Sequence, residues 1–236
     1  MKKYFSQYRQ DEFIDKVIFN KKSGGFFVDI GAHDGISFSN SYFFETSRAF
    51  NGLCIEPNPK VFEQLKKNRQ CDVLNACIGD TAGIVKFLAI EGYSEMLSGI
   101  IDHYHPAHLD RINNSITEQG DSKTEIEVIC TPLQNIAALT NTEIDYMSID
   151  TEGNEYSILK SIDFTKLKVT CLSIENNYDD AGIENIMAQN GYAKIYRLGD
   201  DDIYLIKNKY TLALKLRRSI FMYLAKGKFY LSKLLK

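Results

Sequence analysis

Five apolar runs in this chain stop at or just after a carboxylate: "GFFVDIG" holds Asp29, "GLCIEPNP" Glu56, "CDVLNACIGD" Asp80, "IDYMSIDTEG" Asp150 and "VTCLSIENN" Glu175. Short apolar runs bounded by turn residues read as strands buried on both faces. Segments with helical spacing separate them, which predicts a parallel sheet covered by helices. Ligands of such sheets sit outside the carboxyl ends of the strands. The five acids are therefore expected along one rim.

The remaining elements follow in order. Helices are predicted over 39–50, 60–69 (Val61, Phe62 and Leu65 on one face), 154–162 and 182–191, and strands over 82–90 and from 124, the latter leading into a helix to about Leu139. "YAKIYRL" and "DIYLIKN" flank "GDD" and predict a closing hairpin. The stretch 91–124 is polar, carries Gly92, Gly99, Pro106 and Gly120, and reads as a lid or substrate loop. The fold class is α/β: a doubly wound, mostly parallel, Rossmann-like sheet with a C-terminal antiparallel hairpin. One domain over 1–208 is followed by a tail over 209–236.

With 236 residues, 44% of them hydrophobic, the chain can bury one sizeable core. No apolar run is long enough to span a bilayer, and "MKKYFSQYRQDEF" lacks the apolar centre of a signal peptide. The five cysteines have neither metal nor redox spacing and read as buried hydrophobes in a reducing, cytoplasmic compartment. Charge is uneven. Nine of the 28 basic residues and no acid lie from Lys207 onward, which leaves 19 basic against 31 acidic residues, or −12, in the body. An acidic body argues against nucleic acid as its partner.

The glycine turn after the first strand narrows the ligand. Gly31 and Gly35 let backbone and ligand approach closely, but their spacing is not G-x-G-x-x-G, and Asp29 would repel a pyrophosphate. Asp29 suits an ammonium or sulfonium instead, and Glu56 is placed to accept from ribose hydroxyls. A ligand with these groups and no phosphate is S-adenosylmethionine.

In "SQYRQDEF", "GFFVDIGAHDGISFSNSYFFE", "GLCIEPNP", "NACIGD", "LSGIIDHYHPAHLDRI" and "IDYMSIDTEGNEYSILKSIDF", in this order, the chain resembles the FkbM-type methyltransferases from about Ser6 to about Tyr204. The resemblance implies a class I methyltransferase fold and an S-adenosylmethionine-dependent enzyme acting mostly on oxygen. It implies cofactor contacts from Asp29, Gly31, Ala32, Gly35, Glu56, Pro57, Asp80 and Asp150, with a polar contact from Asn40. His33 departs from the asparagine frequent at that turn, and the basic tail does not match the family core.

Methyl transfer needs an acceptor held in line and a route for its proton. His108 and His105 are the first candidate bases, in a loop that also holds His103 and Arg111 as substrate contacts. Asp150, Glu175 and Asn176 are the second constellation, able to hold a hard cation such as Mg²⁺, as in catechol O-methyltransferases; Asp150 is also a catalytic candidate and Glu175 a substrate contact, and without an ion Asp150 would serve the cofactor or substrate and Glu175 would orient a neighbour. Glu152 is expected to brace the turn before Gly153, and Gln7 and Gln10 to cover the cofactor site.

The tail "YTLALKLRRSIFMYLAKGKFYLSKLLK" is apolar at 212, 216, 220, 223, 224, 231, 234 and 235, close to helical spacing, with Lys215, Arg218, Lys226 and Lys233 largely off that stripe. It reads either as a helix on an anionic membrane face or as one packed on the body or a partner subunit. The expected activity is O-methylation of a sugar hydroxyl on a surface glycan or its precursor, with polyketides and other small molecules as alternative acceptors. A non-catalytic cofactor binder and a nicotinamide-dependent oxidoreductase are the rivals from other classes. Oligomeric state is left open.

Overall fold

The computed structural model describes residues 3–101, 104 and 106–234, with the side chains of 106–108 and of residues from 226 on outside that description. Seven strands form the main sheet in the order β10-β11-β9-β8-β1-β2-β3. They are β1 (Phe26–Ile30), β2 (Asn51–Ile55), β3 (Asp72–Leu74), β8 (Glu143–Ile149), β9 (Lys168–Glu175), β10 (Tyr192–Leu198) and β11 (Asp201–Ile206). Pairing is parallel from β3 through β9, while β11 runs antiparallel to both β9 and β10. The sheet is thus mixed and mostly parallel, with the expected hairpin.

Successive side chains leave a strand on opposite faces, and both faces here are buried. Val28, Ile30, Leu53, Ile55, Met147, Ile149, Leu172 and Ile174 pack one face against α5 (Glu155–Ser161) and α6 (Ala181–Gln189). Phe27, Cys54, Tyr146, Cys171, Ile203 and Leu205 pack the other against α2 (Tyr42–Arg48), α3 (Pro59–Asn68), the last helix α7 (Leu212–Leu234) and α1 (Gln10–Phe13), which continues as a π-helical turn over Ile14–Ile18. Helix α3 starts where the sequence sets it. Asn58 caps it by accepting from Lys60 N at 3.1 Å, and Pro59 fills the first turn, where no N–H is needed.

Three expectations are corrected. The run 71–80 is two strands, β3 and β4 (Cys77–Ile78), because the Asn75 side chain leaves the ladder and donates to the carbonyls of Glu56 at 2.7 Å and Pro57 at 3.0 Å. Strand β4 instead joins a second sheet, order β4-β7-β5-β6, built on antiparallel pairing of β5 (Gly83–Glu91) with β7 (Ser122–Thr131) and edged by β6 (Gly99–Ile100). The stretch 91–124 is not irregular: α4 (Pro106–Gln119) occupies its centre, with Ile112 buried against Ile90 and Leu97. The helix expected up to Leu139 is a pair of short 3₁₀ turns, Leu133–Asn135 and Ala137–Leu139. Among the described residues no helix is long and apolar enough to cross a membrane.

Candidate active site

The carboxyl rim of the parallel strands opens into a cleft of about 270 Å³. Its floor is the turn after β1. Gly31 N and Ala32 N both donate to Ile55 O at 3.0 Å, and Asp150 N donates to Ile30 O at 3.0 Å, so the ends of β1, β2 and β8 are tied together. Gly31 has φ +84°, and a Cβ there would lie 1.7 Å from the Asp150 carbonyl oxygen. Its glycine is required by strand contact. Gly35, at φ +82°, does not line the cleft; a Cβ there would meet Arg69 Cγ and Leu65 Cδ1 at 2.7 Å, so it admits α3 rather than a ligand.

Arg69, only 4% exposed, ties the turn from beneath. It donates to Glu45 at 2.5 Å, to Gly35 O at 3.1 Å and to Ser41 Oγ at 3.0 Å, and Ser41 in turn donates to Asp29 Oδ2 at 2.5 Å. Burial raises the Asp29 carboxyl above its ordinary range, opposed by the nearby guanidinium and the Ser41 hydrogen bond. Asp29 lines the cleft, as do Ala32, Asn40, Glu56 and Pro57. Asn40 Nδ2 donates to Ser148 Oγ at 3.1 Å, while its Oδ1 is buried with no partner in the protein. Glu56 is held rigidly: its carboxylate accepts from His33 N at 3.0 Å and Asn58 N at 2.8 Å. Burial lifts its carboxyl to about 7 against those two bonds.

A second group of acids faces them along the rim. One oxygen each of Asp150, Glu152 and Glu175 lie within 4.8 Å of one another. Asp201 joins them, because the antiparallel β11 starts opposite the end of β9, pairing Asp201 with Glu175. Burial raises Asp150 and Glu175 well above the usual carboxylate range, and neighbouring carboxylates add to this. Burial likewise lifts Glu152 to about 7, opposed by the Arg111 guanidinium, and Asp201 to about 7, opposed by its bond from Gln10. Arg111, reaching in from α4, contacts Glu152 at 3.2 Å, with its own side chain 54% exposed at the mouth. The cleft's described lining holds eight carboxylates, Asp29, Glu56, Glu95, Asp150, Glu152, Glu175, Asp200 and Asp201, against Arg111 and His33.

Several sequence expectations land elsewhere. Asp80 follows β4 in the second sheet, is exposed and does not line the cleft. Asn176 is spent on structure: its Oδ1 accepts from Asp180 N at 2.7 Å and its Nδ2 donates to Asp202 at 3.2 Å, so it does not join the three acids. Glu152 faces the cleft, and the bracing expected of it is done by Glu155, which accepts from Thr151 N at 2.8 Å and Gly153 N at 3.1 Å. His103 and His105 lie outside the described residues; His108 falls on α4, its side chain likewise outside the description. Gln7, Tyr8 and Gln10 do border the cleft, and Gln10 donates to Asp201. Sequence reasoning missed Arg69, Asp201 and the pair His33 Nε2–Glu95 at 3.1 Å. Only the "GDD" turn hinted at the second of these.

A mostly parallel sheet with helices on both faces and an acid-lined cleft at its carboxyl edge resembles the class I methyltransferase-like folds. The methyltransferase FkbM domain matches residues 29–194, and the chain belongs to that family. It is similar to the FkbM methyltransferase of Methylobacillus flagellatus KT at 15% identity, covering 77% of this chain and 43% of that one, with a TM-score of 0.46. It is similar to a TehB-like SAM-dependent methyltransferase of Corynebacterium glutamicum at 8% identity, covering 86% and 89%, with a TM-score of 0.43. Among curated proteins it is 33% identical over 137 residues to a CCA-adding enzyme of Ligilactobacillus salivarius, over 55% of this chain; that match spans 34% of the relative's length.

Proposed function

We propose that this chain is an S-adenosylmethionine-dependent O-methyltransferase acting on an uncharged hydroxylated acceptor, a sugar hydroxyl of a surface glycan. The observation that carries the reading is the placement of Glu56 and Asp29 at the ends of adjacent parallel strands, lining one cleft. The donor set fits the cofactor. Glu56 suits two ribose hydroxyls, Asp29 suits a cationic amino-acid group, and the unpartnered Asn40 Oδ1 offers a further acceptor. A lining of eight acids with only Arg111 and His33 beside them offers a phosphate few positive partners, which also weighs against dinucleotides and nucleotide-linked precursors.

When bound, the cofactor supplies an electrophilic methyl group on a sulfonium. The protein's part is position and proton removal. Glu152, with its carboxyl at about 7, is matched to accept a hydroxyl proton near neutral pH, and Asp150 is its neighbour. His108 stands one turn before Arg111 on α4 and is the alternative base, with His105 as the next candidate; His103 and Arg111 would bind the acceptor. Asp150, Glu152 and Glu175 would also hold Mg²⁺, which would lower the pKa of a bound hydroxyl.

Calorimetry with S-adenosylmethionine, S-adenosylhomocysteine and NAD tests the cofactor. Binding of the first two is expected, and binding of NAD alone would reverse the assignment. Loss of one CH₂ per residue from cell-envelope glycans on gene deletion tests the acceptor; an unchanged profile would refute the sugar and leave the cofactor standing.

A further inference from the structure

Helix α7 shows two faces with opposite fates. Leu214 and Phe221 turn inward at 3% and 9% exposure, and Phe221 meets the Phe13 ring edge-on at 5.3 Å. On the same side Arg217 donates to Val17 O and Arg218 to Ile195 O, both at 2.9 Å. These contacts use the helix's docking capacity on the body. Yet Leu212, Leu216, Ile220, Tyr223 and Leu224 remain 82%, 61%, 50%, 79% and 58% exposed. At 100° per residue they share one stripe, roughly opposite Leu214 and Phe221. The apolar stripe read from the sequence is therefore not the face that packs.

We infer that this stripe is a docking face for an anionic lipid bilayer. Contiguous exposed apolar surface on a helix marks an interaction site. Charge selects the partner. From Lys207 onward the chain carries nine basic residues and no acid, whereas the body carries a large excess of acids. Lys215, exposed, falls on one flank of the stripe, where a long basic side chain reaches headgroups while the apolar side chains enter the acyl boundary. The body's negative charge is repelled by the same surface, which orients the molecule with α7 toward lipid. Helix α7 leans on Phe13, and α1 begins at Gln10 in the cleft, so docking sets the cleft's N-terminal border close to the bilayer. This inference does not depend on the identity of the cofactor.

Flotation with vesicles of phosphatidylcholine alone and of phosphatidylcholine mixed with phosphatidylglycerol tests it. The full chain is expected to float with the mixed vesicles and not with the neutral ones, and to release at high salt. The triple variant Leu216→Ser, Ile220→Ser, Tyr223→Ser changes only exposed side chains. It is expected to bind the mixed vesicles at least roughly tenfold more weakly with an unchanged melting temperature. Lys215→Glu, a milder surface change, is expected to weaken binding roughly fivefold or more. Equal flotation with neutral vesicles, or unaltered binding by both variants, overturns the inference. So does a wild-type dimer that the triple variant converts to a monomer without any vesicle binding, since a second copy would then cover the stripe.

Discussion

Replacing Glu56 with glutamine removes a charge that burial already opposes. Lifting a carboxyl from 4.5 to about 7 penalises its ionised form by about 3 kcal/mol. Because the folded value lies above the unfolded one, this group favours the ligand-free fold most below pH 4.5, and that contribution fades as pH rises through about 7. Ribose hydroxyls donate to the ionised form, so ligand binding should recover what folding lost. Glu56 is about one-tenth ionised at pH 6 and about nine-tenths at pH 8, which predicts a roughly tenfold, or about 1.4 kcal/mol, gain in affinity between them. The assay is calorimetry with 5′-methylthioadenosine, which keeps the ribose and lacks the titrating amino group of the full cofactor. Glu56→Gln should bind more weakly at pH 8 and show no such rise. Its amide also turns one N–H toward a backbone donor, His33 N or Asn58 N, a cost of roughly 1–3 kcal/mol that a melting curve will register. Wild-type affinity that stays flat from pH 6 to 8, or a variant that keeps the full pH dependence, would refute the assignment of Glu56 to the ribose.

Gly31→Ala should prevent folding or cost more than about 3 kcal/mol in urea unfolding, because its Cβ would overlap the Asp150 carbonyl oxygen at 1.7 Å and φ is positive. Millimolar Mg²⁺ should raise the melting temperature of the wild type but not of Asp150→Asn or Glu175→Gln; equal shifts in all three would remove the ion from the site. Phe221→Ala should destabilise by about 3 kcal/mol, whereas Leu216→Ala should fall within about 0.5 kcal/mol of wild type. Chemical denaturation of the two variants compares the helix faces directly.

The parallel half of the fold was legible because its central strands are buried on both faces and read as mostly apolar runs, as in β1 and β2. The same pattern set Asp29, Glu56, Asp150 and Glu175 on the rim. Asp80 went astray because apolarity cannot show which sheet a strand joins, and one side chain, Asn75, moved the end of that run to a different sheet. Asp201 was invisible for a related reason: the rule about carboxyl ends holds for parallel strands, and an antiparallel strand brings its first residue to the same rim. Helix α4 was hidden by its thin apolar spacing: Ile112 and Ile116 touch only a small satellite core, and Leu109 is exposed. Arg69 reads as an ordinary surface base at the end of a helix, and only the folded chain shows that the space beside Gly35 admits it.

The cleft's two walls belong to different sheets. Asp29, Glu56, Asp150 and Glu175 line it from strand ends of the seven-stranded sheet, while Phe87 and Ser98 to Ile100 line it from the four-stranded one, which has its own small core of Cys77, Phe87, Ala89, Ile100, Val128 and Cys130. Phe87 and Ser98 to Ile100 make no hydrogen bond to Glu56 or Asp29, so a change of side chain there reshapes the space and leaves the bonds that hold both acids in place. The shape of the cleft can therefore change, by drift or by design, one residue at a time on the smaller sheet while the acids of the larger sheet keep their places.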